Sequence, residues 1–170
     1  NIRANNAFAW DLSAACSGFA YTISMASALL ATKYQRGLVI GAEVLSKLVD
    51  WQDRSTAVLF GDGAAGVLLE KTSAQVGLLA ESLKTYGEQS EFLTAGHQRN
   101  SNYFTGELSQ ADPYFHMNGR EVYNFATRQV PVVLSEALDK ANLTADSIDV
   151  YLLHQANARI IASIAKRFGQ

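Results

Sequence analysis

Cysteine occurs once in this chain, as Cys16, so no disulfide can close within it. No cluster of cysteine and histidine has the spacing of a zinc site, and no metal is expected. A chain without disulfides suits a reducing compartment, and a cytoplasmic setting is the expectation. Proline is also scarce: two prolines and 18% charged residues exclude a disordered or low-complexity polymer. A surplus of positive charge is missing too. The formal net charge of −2 argues against wholesale nucleic-acid binding and leaves room only for a local basic patch. The opening "NIRANNAFAW" lacks the basic stretch followed by an apolar one that marks a secretory signal. It also lacks a methionine, and the chain stops at "AKRFGQ", where Gly169 reads as a helix C-cap, so the sequence reads as a piece of a longer protein.

One long stretch carries no charge. Residues 12–32 are nearly long enough to span a bilayer. They are rich in Ser, Ala, Thr and Gly, however, which suits a central helix buried by protein on all sides better than one facing lipid, and no membrane partner is expected.

The pattern of what is present is that of an α/β protein. Residues 7–12 read as a strand leading into Cys16, with Ser13 as a plausible cap and a helix from about 17 to 34. Phe19, Ile23, Ala26 and Leu30 recur on it at helical spacing. "GLVIGAEV" (37–44) reads as a buried strand, 55–71 as two short strands about a glycine turn, and 75–85 as a further strand. Residues 86–113 are polar and without period; a loop of this length is functional or joins two lobes. A helix follows from about 119 to 142, which Pro131 is expected to kink or divide. "DVYLLHQANARIIASIAKRFG" (149–169) then gives an apolar strand, a polar tetrad and an amphipathic helix.

The last unit repeats the logic of the first. In each, an apolar strand runs into a reactive side chain, Cys16 or His154, and a helix departs at once. Two related strand–helix units place their strand ends where open α/β sheets bind ligands. A thiol at a helix start lies near the positive end of the helix dipole, an environment that favours a nucleophile. Ala15, Ser17 and Gly18 leave room for a substrate, but close packing of a central helix uses the same small residues, and composition alone leaves both open. His154, at the end of an apolar strand, is expected to be buried and to need a partner or a task; His97 and His116 receive no role.

Gly61 to Gly66, "GDGAAG", matches the dinucleotide fingerprint in letters. That fingerprint requires the glycines to open a helix, whereas "VLLE" follows here, and dinucleotide binding is set aside.

Four segments in this order, "AFAWDLSAACSGFAY", "DWQDRST", "FGDGAAGVLLE" and "LLHQANARI", closely resemble the β-ketoacyl-acyl-carrier-protein synthase III family of condensing enzymes. The resemblance covers essentially the whole chain. It implies a thiolase-like αβαβα layered fold, with 1–85 as the later part of its first half, 86–113 as a connecting loop and 114–170 as the start of its second half. It implies that Cys16 accepts the acyl group and that His154 is its catalytic partner. By the same resemblance Arg54 contacts the adenine end of coenzyme A, while Phe60, Met117, Gly119, Tyr123 and Asn157 bind substrate along the acyl and pantetheine channel. Gln155, Ala156, Asn157, Ala158 and Arg159 form the carrier-protein docking segment, supported by the local positive charge of Arg159, Lys166 and Arg167.

The implied reaction has two stages and no cofactor beyond the coenzyme A thioester, which is substrate. Cysteine takes an acyl group, acetyl in the first instance, from acyl-CoA; malonyl-acyl-carrier protein then loses CO₂ and condenses with it. A homodimer is implied as well. The family's catalytic asparagine, in a "GNTSAA"-type segment, does not occur in these residues, and Asn157 is not that residue. The segment by itself is therefore expected to fall short of the full reaction. Other readings are a polyketide starter synthase, a hydroxymethylglutaryl-CoA synthase, a cysteine hydrolase, or a non-catalytic fragment.

Overall fold

The computed structural model describes residues 3–97, 104–106 and 111–169, with His97 by its backbone alone. The chain divides into two compact units, Asn1–Gly41 with Ala65–Leu78, and Ala42–Ala64 with Leu79–Gln170.

In the first unit a 3-10 turn, Ala15–Ser17, runs directly into helix α1, Gly18–Thr32. Only Ala26 and Leu30 of α1 are buried, so the helix is not enclosed on all sides as its composition suggested. The stretch Ala15–Thr32 is long and apolar enough to cross a membrane by length and composition. Two of its hydroxyls turn back on the helix: the Thr22 Oγ1 donates to the Gly18 carbonyl at 2.7 Å and the Thr32 Oγ1 to the Ala28 carbonyl at 3.2 Å. Strand β1, Arg36–Val44, pairs with β2, Asp62–Glu70. The Lys71 N–H bonds the Gln35 carbonyl at 2.8 Å and the Arg36 Nε bonds Glu70 at 2.6 Å. Gly66 backs onto β1 so closely that a Cβ there would lie 2.7 Å from the Val39 carbonyl oxygen, which is why glycine stands in mid-strand.

That strand also answers the fingerprint. The glycines of "GDGAAG" belong to β2 and its approach, not to the start of a helix. Ahead of it, 55–60 is not the expected strand. Helix α2, Arg54–Ala57, occupies it, because the Asp53 carboxylate accepts the Ser55 N–H and starts a helical turn. The apolar, β-branched letters were overruled by a local cap.

The expected strands at 7–12, 75–85 and 149–153 have no ladder partner among the described residues. A strand exists by its neighbour's hydrogen bonds, and apolar sequence alone does not make one. Phe8 instead stacks on Trp10 at 5.2 Å and meets Tyr34 at 5.0 Å. Val150 and Leu152 are exposed.

In the second unit the long polar stretch carries structure of its own. A 3-10 turn, Gly87–Phe92, leads into β3, Leu93–His97, which pairs antiparallel with β4, Asp112–Met117. The register sets Leu93 opposite Met117 and Ala95 opposite Phe115, with a bulge between Ala95 and His97. Gly96 makes that bulge: its φ is +47°, and a Cβ would lie 2.8 Å from the Pro113 carbonyl oxygen. Residues 98–103 and 107–110 of the expected loop lie outside the described residues.

Helix α3, Gly119–Ala141, opens on Asn118, whose side chain accepts the Glu121 N–H, and ends on Asn142 in the left-handed conformation. It runs through Pro131 undivided, and the proline itself is buried, which offsets the hydrogen bond its missing N–H forfeits. Helix α4, Ala158–Arg167, buries Ile160 and Ile164 one turn apart and packs on α3. Gly169 follows at φ +73°, the conformation its C-terminal position asked for.

Candidate active site

Cys16 stands in the 3-10 turn that feeds α1, free and exposed. The residue before it, Ala15, has φ +45°, a left-handed conformation that side-chain-bearing residues rarely adopt. Such strain persists only where surrounding structure holds it, and it concentrates at functional turns. Here it presents a side chain at the point where chain becomes helix. At Gly18 a Cβ would meet nothing within 4 Å, so this glycine leaves open space rather than permitting close packing. In this chain the Cys16 thiol is accessible.

The remaining candidate residues all belong to the second unit. Arg54 is the first residue of α2 and is exposed. Phe60 stacks flat on Phe115, ring centres 4.1 Å apart. Just beyond it, Asp62 accepts the Ser46 N–H at 2.8 Å and the Ser46 Oγ at 2.7 Å, tying the start of β2 to the 3-10 turn, Leu45–Lys47, that follows β1. Those bonds hold the Asp62 carboxyl below its ordinary value. Met117 closes β4 opposite Leu93, and its Cε lies 3.6 Å from where a Cβ on Gly119 would stand.

An open depression of about 550 Å³ is lined by Gly119, Tyr123, Asn157, Ala158 and Arg159. It brings together the start of α3, at Gly119, and the start of α4, at Ala158, which the sequence keeps 39 residues apart. Asn157 has a structural duty there: its Oδ1 accepts the Ile160 N–H at 2.9 Å and caps α4. Gln155 bends back, its Nε2 donating to the Leu153 carbonyl at 3.0 Å, and Ala156 N–H donates to the His154 carbonyl. His154, expected to be buried, is exposed. Among the described residues the segment before it has no paired strand to cover the ring, so burial read from apolar neighbours did not follow.

Sequence reasoning passed over three residues that organise this region. Phe115, buried in β4, backs Phe60; Asp62 holds Ser46; Asp53 caps α2. Asp53 was legible as an N-cap, since aspartate is among the residue types favoured at that position. His116 Nε2 lies 2.6 Å from Asp112 Oδ2, a local pair within β4. Among the described residues no group of three or more His, Cys, Asp or Glu side chains could hold a metal ion.

The chain has a thiolase-like α/β fold, one that solved condensing enzymes share. The structure of β-ketoacyl-[acyl-carrier-protein] synthase III from Thermus thermophilus superposes with a TM-score of 0.85 at 39% identity, covering 96% of this chain and 50% of that one. The priming β-ketosynthase of a polyketide biosynthetic pathway gives 0.81 at 29% identity, covering 98% and 49%. Residues 10–87 match the family model for 3-oxoacyl-[acyl-carrier-protein] synthase III, and residues 138–170 match the model for its C-terminal part. The β-ketoacyl-[acyl-carrier-protein] synthase III of Limosilactobacillus reuteri is 52% identical over 99% of this chain and 52% of its own length. The chain belongs to the β-ketoacyl-[acyl-carrier-protein] synthase III family. It spans about half the length of the curated relatives it matches.

Proposed function

We propose that this chain is part of an initiating condensing enzyme of bacterial fatty-acid synthesis. The observation that carries the reading is the exposed thiol of Cys16 on a strained turn at a helix start, in a chain of this family. Cys16 sulfur attacks the thioester carbonyl of a short acyl-CoA, and coenzyme A leaves as its thiol. One thioester replaces another, so the acyl group stays activated on the enzyme. Malonyl-acyl-carrier protein then loses CO₂, and the resulting enolate carbon attacks the acyl-cysteine. The C–S bond breaks, Cys16 is released, and 3-oxoacyl-carrier protein departs.

His154 serves as a hydrogen-bond donor to the enolate oxygen. One such preorganised donor is worth ~3–4 kcal/mol, or about two to three decades in rate. Arg54 contacts coenzyme A, and Phe60, Met117, Gly119, Tyr123 and Asn157 line the path of the acyl-pantetheine arm. Residues 155–159 receive the acidic carrier protein, with Arg159 at the depression where that arm would enter. Segments 1–85 and 114–170 belong to the two similar halves of the thiolase-like fold. The working enzyme is a cytoplasmic homodimer that needs no metal or organic cofactor.

The test uses the full-length synthase carrying this segment, with labelled acetyl-CoA and malonyl-carrier protein. Label is expected first on Cys16 and then in the ketoacyl product, and Cys16→Ser should abolish both while the melting temperature holds. Formation of free acid without malonyl-carrier protein would mark a hydrolase instead. Failure of iodoacetamide to label native Cys16 would remove the thiol from the chemistry.

A second reading, a priming synthase of polyketide assembly, is favoured by the similarity to the polyketide ketosynthase structure. It keeps the cysteine chemistry and changes only the acyl donor and acceptor. Competition between acetyl-CoA and longer acyl-CoA substrates separates the two.

A further inference from the structure

Thr56 is the most deeply buried polar residue among those described, with 1% of its surface exposed, and it lies in a helix of only four residues. Its hydroxyl donates to Asp53 Oδ2 at 2.7 Å. Asp53 Oδ1 accepts both the Ser55 N–H at 2.9 Å and the Ser55 Oγ at 2.6 Å. One step earlier the turn is tied again: the Asp53 N–H bonds the Asp50 carbonyl at 3.0 Å, and Asp50 Oδ1 accepts the Gln52 N–H at 2.9 Å. The segment 50–56 is thus held by its own hydrogen bonds and anchored through Thr56.

Arg54 sits in the middle of this knot, exposed, with no ion pair or hydrogen bond to another described residue. The carboxylate adjacent to it in sequence is the natural partner for a guanidinium. That carboxylate has both oxygens committed to Ser55 and Thr56. It therefore does two things at once: it fixes the backbone from which Arg54 projects, and it leaves the guanidinium unpaired among the described residues, open to an outside ligand.

We propose that Asp53 is a positioning residue for Arg54, holding it for the nucleotide end of the coenzyme A substrate. The proposal rests on the reading of Arg54 as a coenzyme A contact. Asp53 acts through Arg54 and does not touch substrate. Its loss lowers the affinity for acyl-CoA and leaves the chemical step and the use of carrier protein alone.

The experiment is a double-mutant cycle in the full-length synthase, on Asp53→Ala, Arg54→Ala and the pair. Asp53→Ala is expected to raise the KM for acyl-CoA about five- to tenfold, the scale of a lost cap, with kcat and the KM for malonyl-carrier protein unchanged. The pair should match Arg54→Ala alone, since a residue acting only through Arg54 has nothing left to add. Asp53→Asn, which keeps one acceptor for the Ser55 N–H, should recover part of the loss and stands in if the alanine variant does not fold. Additive effects in the cycle, or equal loss of acyl-CoA and carrier-protein use, overturn the positioning role while wild-type acylation of Cys16 keeps the proposed function. Absence of that acylation in the wild type overturns both.

Discussion

Phe60 and Phe115 lie face to face, their ring centres 4.1 Å apart and their planes within 5° of parallel. Phe115 is 7% exposed and sits in β4, two residues before Met117; Phe60 stands at the turn before β2. The Phe115 N–H also bonds the Leu48 carbonyl at 2.8 Å, so the backbone joins β4 to the chain ahead of α2 while the ring joins it to the chain after α2. Phe60 therefore depends for its position on a residue 55 places away. Phe115→Ala is expected to cost about 3–5 kcal/mol of stability, the usual range for deleting a buried phenylalanine. Phe115→Leu should cost clearly less, because it refills most of the volume. Chemical denaturation of the two variants in the full-length synthase is the check, and equal losses would show that ring volume is not what matters.

A pH effect follows from Glu136 on α3. Hydrogen bonds from Lys84, first, and then from Ser82 hold its carboxyl below its ordinary value of 4.5, and the same pairing raises Lys84 above 10.5. A carboxyl depressed in the folded state contributes stability that is fully present above pH 4.5 and is lost as pH falls through the folded value. The lysine contributes below pH 10.5 and loses its share as pH rises through its own raised value. Glu136→Gln should therefore lower the melting temperature at neutral pH, modestly for a partly exposed pair. The gap to the wild type should begin to narrow as pH falls below 4.5 and close once pH passes the depressed folded value, where the native carboxyl also becomes neutral. A gap that persists in acid would assign the loss to packing.

Arg159 gives a test of partner recognition. It lines the open depression beside Tyr123 and stands at the start of α4, with Lys166 and Arg167 in the last turn. Charge reversal, Arg159→Glu, is expected to raise the KM for malonyl-carrier protein by roughly tenfold or more, with a smaller change for acyl-CoA. The wild-type KM for the carrier should also rise with salt, and the variant should lose part of that dependence. Equal losses for the two substrates would remove the docking assignment and leave Arg159 as a residue of the acyl-arm path.

Legibility in the sequence followed the range of the interactions. Helix α3 was read to within a residue, since its period and the asparagine after it are local. The amphipathic helix that is α4 was equally plain, though its cap at Asn157 was not. The strands at 7–12 and 149–153 were read from apolar letters, but a strand is completed by a partner far along the chain, and none is present among the described residues. The error at 55–60 had the opposite cause: a short-range cap at Asp53 outweighed strand-like letters. At the site, the thiol and the "HQAN" segment were visible as motifs. The stacking of Phe60 on Phe115 was not, because ring pairing across 55 residues leaves no local signal.

The two tryptophans fall one to each compact unit: Trp10, stacked on Phe8, in the first, and Trp51, largely exposed just ahead of α2, in the second. Each unit thus carries its own intrinsic fluorophore. Replacing either with phenylalanine leaves an emission signal belonging to the other unit alone, so loss of order around the thiol turn and loss of order around the Arg54 knot become two separate optical transitions.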